Sequence, residues 1–122
     1  MTNDENVTRL MRANLLEVFD ERDGETRRDA IARTYAPSVE WSDNEGVSVG
    51  TAALDAKSEL LQGQIGELRF VEASPIYGVG AMGYLAWHLV PPGGGPAAAS
   101  GFDVAIISEG RIVSLYTVLT PA

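Results

Sequence analysis

The chain has 122 residues, 45% hydrophobic and 21% charged, with one histidine and no cysteine. Such a length suits one domain that buries its own core, and the missing cysteines exclude disulfides, thiol nucleophiles and thiolate metal sites. A formal charge of −8, from 17 acidic against 9 basic residues, repels polyanions, so neither nucleic acid nor an anionic membrane is an expected partner.

The first residues, Met1 to Asn6, are acidic and polar, the reverse of a secretory signal. No apolar stretch reaches the ~20 residues of a membrane span, and the expected location is the cytoplasm. Val7, Leu10, Met11, Asn14, Leu15, Val18 and Phe19 recur at i, i+3, i+4 spacing and predict an amphipathic helix. The run Asp20-Glu21-Arg22-Asp23-Gly24 breaks it. Thr26, with Asp29 three residues on, is similar to a capping box and predicts a second helix carrying Ala30, Ile31, Thr34 and Tyr35. That helix should stop at Ala36, because Pro37 disfavours helical geometry in the residue before it.

Val39–Asp43 alternates apolar and polar residues, a short strand, and Asn44-Glu45-Gly46 turns the chain into a return over Val47–Gly50. Thr51 suits the N-cap of a third helix with Leu54, Leu61 and Ile65 on one face, ending near Gly63 and Gly66. Four β-like runs follow: Leu68–Tyr77, Ala81–Val90, Ala97–Ser108 and Arg111–Leu119. The breaks between them, Gly78 with Gly80, Pro91 to Pro96, and Glu109-Gly110, carry turn chemistry. Short links between long strands favour antiparallel pairing. The expected architecture is an α+β domain, residues 1–122, with three N-terminal helices packed on a strongly curved, mainly antiparallel sheet.

Two carboxylates stand out. Side chains alternate along a strand, so if Val39 and Trp41 point inward, Asp43 does too; otherwise it caps the turn that follows. Asp103 lies in Phe102-Asp103-Val104-Ala105-Ile106-Ile107, a run apolar on both faces. Burial there raises a carboxyl pKa and favours the neutral acid, and such groups are kept for a partner or for function. Asn14 interrupts the first helix's apolar stripe, to reach a pocket or simply to bond a neighbouring helix. His88 shares a strand face with Tyr84, Ala86 and Val90, where a lone histidine is structural or at an interface. The Gly93–Gly95 run lacks the Lys-Ser/Thr and helix of a phosphate loop and reads as a hairpin loop.

The element order, with Tyr35-Ala36-Pro37-Ser38-Val39-Glu40-Trp41-Ser42-Asp43 and the stretch from Gly101 to Ser114, resembles the SnoaL-like cyclases and ketosteroid isomerases of the nuclear-transport-factor-2-like superfamily. The resemblance implies a cone-shaped fold, Asp43 as catalytic base and Asp103 as the protonated partner in an oxyanion hole. It departs from the isomerases in having Asn14 and Leu15 where they donate a tyrosine, and Asn44 after Asp43. One carboxylate to take a proton beside a carbonyl, and a second acid to steady the enolate oxygen, is workable chemistry. The pocket is expected to be lined by Asn14, Leu15, Trp41, Leu61, Tyr84, Trp87, His88, Leu115 and Leu119.

The leading expectation is a cofactor-free, metal-free acid–base enzyme (isomerase, cyclase or dehydratase) acting on a small apolar carbonyl, polyketide-like or steroid-like molecule. The alternatives are a catalytically silent module that binds a hydrophobic ligand or dimerises, and an epoxide hydrolase or cyclase. Strands apolar on both faces need two covers, so a homodimer through the outer face of the last three strands, near His88 and Tyr116, is also expected.

Overall fold

The apolar stripe from Val7 to Phe19 is buried along its whole length. The computed structural model describes residues 3–121. In it α1 (Asn3–Arg12) runs without a break into a π-helical stretch, Ala13–Phe19. A π-helical turn is wider than an α-turn and is frequent at functional sites. Here it packs Asn14, Leu15, Val18 and Phe19 into the interior.

Helix α2 (Gly24–Thr34) is capped by Asp23 rather than by Thr26. The Asp23 carboxylate accepts the Thr26 backbone N–H at 2.9 Å and its hydroxyl at 2.7 Å. A carboxylate at that position also meets the positive end of the helix dipole, an advantage a threonine lacks. The helix stops at Thr34, and β1 starts at once, Tyr35–Asp43. β1 pairs with the last strand at Tyr35↔Ile112 and again at Glu40↔Ser114, so five residues of one strand pass two of the other. Pro37 sits in that bulge, where its missing N–H removes no ladder bond.

β2 (Gly46–Val49) returns antiparallel to β1, and α3 (Thr51–Ile65) follows from Gly50. Thr51 is the first helical residue, not the cap, and no side chain caps this end. The buried line of α3 is Leu54, Ser58 and Gln62, with Leu61 and Ile65 half-buried beside it. The third helix lies between β2 and β3, after the hairpin as the sequence order has it, so the description of three N-terminal helices is inexact.

The remaining strands are β3 (Arg69–Glu72), β4 (Tyr77–Val79), β5 (Met82–Val90), β6 (Ala99–Ser108) and β7 (Arg111–Thr120). The single strand expected over 68–77 is two, because Pro75 has no N–H to pair and Ser74 leaves the ladder to accept Ala86 N–H on its hydroxyl. The order is β2-β1-β7-β6-β5-β3, with β4 also on β5. Every pairing is antiparallel except β1 with β7, which is parallel. At the β6–β7 hairpin, Glu109 (φ 53°) and Gly110 (φ 78°) both take left-handed conformations, as a two-residue hairpin turn of the right twist requires.

Gly101 fixes one wall. A Cβ there would strike the Val118 carbonyl oxygen and come within 2.6 Å of the Trp87 ring. Gly101→Ala should lower stability by about 3 kcal/mol through overpacking against backbone. Urea unfolding checks this, and a loss below about 1 kcal/mol would mean the strands can part.

Candidate functional site

Strand alternation puts Trp41 and Asp43 of β1, Trp87 and Leu89 of β5, Asp103 of β6, and Thr117 and Leu119 of β7 on the concave face. The π-helical stretch adds Leu15 and Phe19, α3 adds Lys57, Leu60, Leu61 and Gln64, and β3 adds Phe70. Together they enclose a cavity of about 440 Å³. Phe19 stacks at a tilt on Trp41, centroids 4.9 Å apart, and Phe70 meets Trp87 edge-on at 5.2 Å. The walls are thus mainly aromatic and aliphatic.

Asp103 lies at the dry end, 3% exposed. Its Oδ1 accepts the Thr117 hydroxyl at 2.9 Å and the Trp87 indole N–H at 3.3 Å, and its Oδ2 accepts Asn14 Nδ2 at 2.7 Å. Trp41 Nε1 donates to Thr117 Oγ1 at 3.0 Å, and Tyr35 donates its hydroxyl proton to Asn14 Oδ1 at 2.5 Å. Burial pushes the Asp103 carboxyl up to about 6, opposed by the bonds from Thr117, Trp87 and Asn14. The rise is in the direction read from the sequence, and the donor set holds it in check: all three neighbours point hydrogens at the carboxyl. No Lys or Arg bonds to it among the described residues.

At the open end, Asp43 Oδ2 pairs with Lys57 Nζ at 2.5 Å, while Asp43 Oδ1 caps the turn by accepting Glu45 N–H at 2.9 Å. Lys57 also reaches Glu45 at 3.5 Å and lies 4.8 Å above the centroid of Trp41. Asp43 thus lines the cavity and caps the turn at once. Asp43, Asp103, Leu15, Trp41, Leu61, Trp87 and Leu119 all face the cavity, and Asn14 stands behind Asp103.

Besides Asn14, three expected lining residues do not face it. Tyr84 and His88 alternate with Leu85, Trp87 and Leu89 and so fall on the outer face, and Leu115 is wholly buried in the core. Sequence reasoning missed Thr117, Lys57, Phe19 and Phe70. Thr117 was signalled by the parity Leu115, Thr117, Leu119, and Lys57 by its place three residues after Leu54 and four before Leu61.

No protein-family model and no curated protein matches the chain. Solved structures do. A candidate isomerase of the SnoaL-like family from Agrobacterium tumefaciens superposes with a TM-score of 0.87 at 25% identity, over 96% of this chain and 99% of that one. The fold is SnoaL-like. A candidate SnoaL-like polyketide cyclase from Jannaschia sp. follows at a TM-score of 0.74 and 19% identity, covering 95% of this chain and 85% of its own. A candidate ketosteroid isomerase from Kribbella flavida gives 0.70 at 13% identity, over 97% and 80%. The SnoaL-like fold accounts for the bent sheet over a helix-lined cavity; it leaves the chemistry to the residues inside. Among the described residues no helix is long and apolar enough to cross a membrane, and no group of acidic or histidine side chains is placed to hold a metal.

Proposed function

We propose that the protein is a cofactor-free acid–base enzyme of the isomerase or cyclase kind, with Asp103 as the proton acceptor. The observation that carries this is a carboxylate on the wall of an apolar cavity, bonded by three neutral donors and, among the described residues, by no cation. A base matched to neutral pH and freed from water is suited to removing a proton next to a carbonyl. Asp43, by contrast, has both oxygens engaged by Lys57 and the turn. The roles read from the sequence for the two aspartates are exchanged: the Lys57–Asp43 pair at the mouth offers the ammonium hydrogens that would steady a developing enolate oxygen. The lining carries Asp43, Glu45 and Asp103 against one Lys57, already paired, so the substrate is uncharged or free of acidic groups.

Incubation with apolar ketones such as 2-tetralone in D2O tests this by nuclear magnetic resonance. Faster exchange of the hydrogens beside the carbonyl, lost in Asp103→Asn, is the expected result. Ketones that bind without any enhanced exchange would instead identify a silent ligand-binding module, a reading favoured by the partners that both oxygens of each aspartate already have.

Homodimerisation is part of the same proposal. Tyr77, Tyr84 and Phe102 form an aromatic row on the outer face, with ring centroids 6.0 and 5.3 Å apart, next to exposed Tyr116 and Val118. A two-fold copy would cover that face. Light scattering at micromolar concentration should give twice the chain mass, and Val104→Arg should halve it; a native monomer would overturn the pairing.

A further inference from the structure

Tyr35 opens β1 fully sealed from solvent, and its hydroxyl proton goes to Asn14 Oδ1. Burial first, then the nearby Asp103 charge, holds its phenol well above the ordinary range, so it stays a neutral donor wherever the protein is folded. Asn14 is equally sealed, and its other end donates to Asp103 Oδ2. An amide has one end that only donates and one that only accepts. The orientation found here offers the donor to Asp103 and therefore favours the carboxylate over the acid. Turned through half a rotation, the same amide would offer Asp103 an oxygen and favour the acid.

The Tyr35 hydroxyl decides between the two. Its proton finds its acceptor in Asn14 Oδ1, and among the described residues no other acceptor takes it. Turning the amide would leave that buried proton without a partner, which is strongly unfavourable. We propose that Tyr35 is a positioning residue: through the Asn14 amide it keeps a donor against Asp103 and holds the site ready to accept a proton. This rests on reading Asp103 as the acceptor. Thr117, supported by Trp41, serves the other oxygen and does not depend on Tyr35. The elements packed around Asp103 bring it Asn14, Trp87 and Thr117, none of them charged, and the charged groups of the cavity, Asp43, Glu45 and Lys57, bond to one another at the mouth.

The test follows the Asp103 carboxyl carbon by nuclear magnetic resonance from pH 4 to 8, without substrate. Tyr35→Phe keeps the ring and removes the hydroxyl, and the Asp103 midpoint should rise by about half a pH unit or more. Asn14→Leu should raise it further, and adding Tyr35→Phe to Asn14→Leu should change nothing more, because the link is already cut. In the native protein, the Asn14 side-chain amide and the Tyr35 ring carbon should titrate with the Asp103 midpoint. An unmoved midpoint in Tyr35→Phe, an equal shift in both backgrounds, or flat Asn14 and Tyr35 signals would each overturn the proposal. If Tyr35→Phe does not fold, the native titration alone decides. A midpoint that moves as expected in a protein that never exchanges ketone hydrogens would leave the positioning intact and remove the enzyme.

Discussion

Asp103→Asn should fold, lose on the order of a hundredfold or more in proton abstraction, and change the pH dependence of stability in a definite direction. Asparagine's oxygen can still accept from Thr117 and Trp87, while its amide meets the Asn14 amide that Tyr35 holds in place, a cost that does not change with pH. In the native protein the Asp103 carboxyl is raised from 3.8 to about 6 on folding, so the folded state holds its proton more tightly than the unfolded chain. The stabilising contribution is complete below pH 4 and fades as pH climbs through 6; above that, the buried charge is a penalty on the order of 3 kcal/mol. Asparagine never carries that charge. The variant should therefore gain on the native protein as pH rises from 4 to 7, and the gain should level off above 7. Paired thermal melts across that range read the difference directly, and other titrating groups cancel. A difference that stays constant with pH would mean that Asp103 is not a buried titrating group.

Arg27→Met should be the most damaging single change away from the cavity. Arg27 is 1% exposed, yet it is a full charge, held by Asp55 at 2.7 Å, Gln62 Oε1 at 2.9 Å and the Glu21 carbonyl at 3.1 Å. Gln62 in turn donates to the Phe19 and Glu21 carbonyls at 3.0 and 2.6 Å, closing the end of the π-helical stretch. Methionine fills much of the space but leaves the Asp55 charge without its partner and Gln62 without its anchor. A loss of about 3–5 kcal/mol is expected, a large part of an ordinary domain's stability. Denaturant titration measures it; a loss near 1 kcal/mol or less would show that water or Arg28, which reaches Asp55 at 3.7 Å, takes over.

Apolar periodicity carried most of the fold, because each helix and long strand has one face that must be dry. Asp103 was legible for a related reason: a carboxylate in a run apolar on both sides is conspicuous. What periodicity could not decide was parity in β5, where Met82, Tyr84 and Ala86 are nearly as apolar as Leu85, Trp87 and Leu89. Tyr84 and His88 were consequently grouped with Trp87 in the pocket, although His88 was also set at the outer dimer face, and alternation puts both on that outer face. Arg27 and Lys57 were overlooked because long charged side chains are usually solvated, although both occupy stripe positions, Arg27 beside Ala30, Ile31 and Thr34. The π-helical stretch leaves no mark in composition, since it is packing rather than a glycine or proline that sets it. The upward push on Asp103 was legible as burial, but its donors were not: Thr117 and Trp87 come from other strands, and only the tertiary structure brings their hydrogens to one oxygen.

The parallel pairing of β1 with β7 bears on how the protein is made. β7 stands between β1 and β6 in the sheet, so the two halves have no edge in common until the last strand is in place. A chain emerging from the ribosome can form its helices and the β5–β6 hairpin as they appear. It cannot join β1 to them before the β7 residues Ile112 to Tyr116 are available, and contacts so far apart in sequence close slowly. During that wait β1 and β6 each present an unpaired edge, the state in which nascent sheets meet the wrong partner. A stalled chain ending before Arg111 should remain open to protease and to chaperones, whereas release of ten more residues should convert it to the resistant form in one cooperative step.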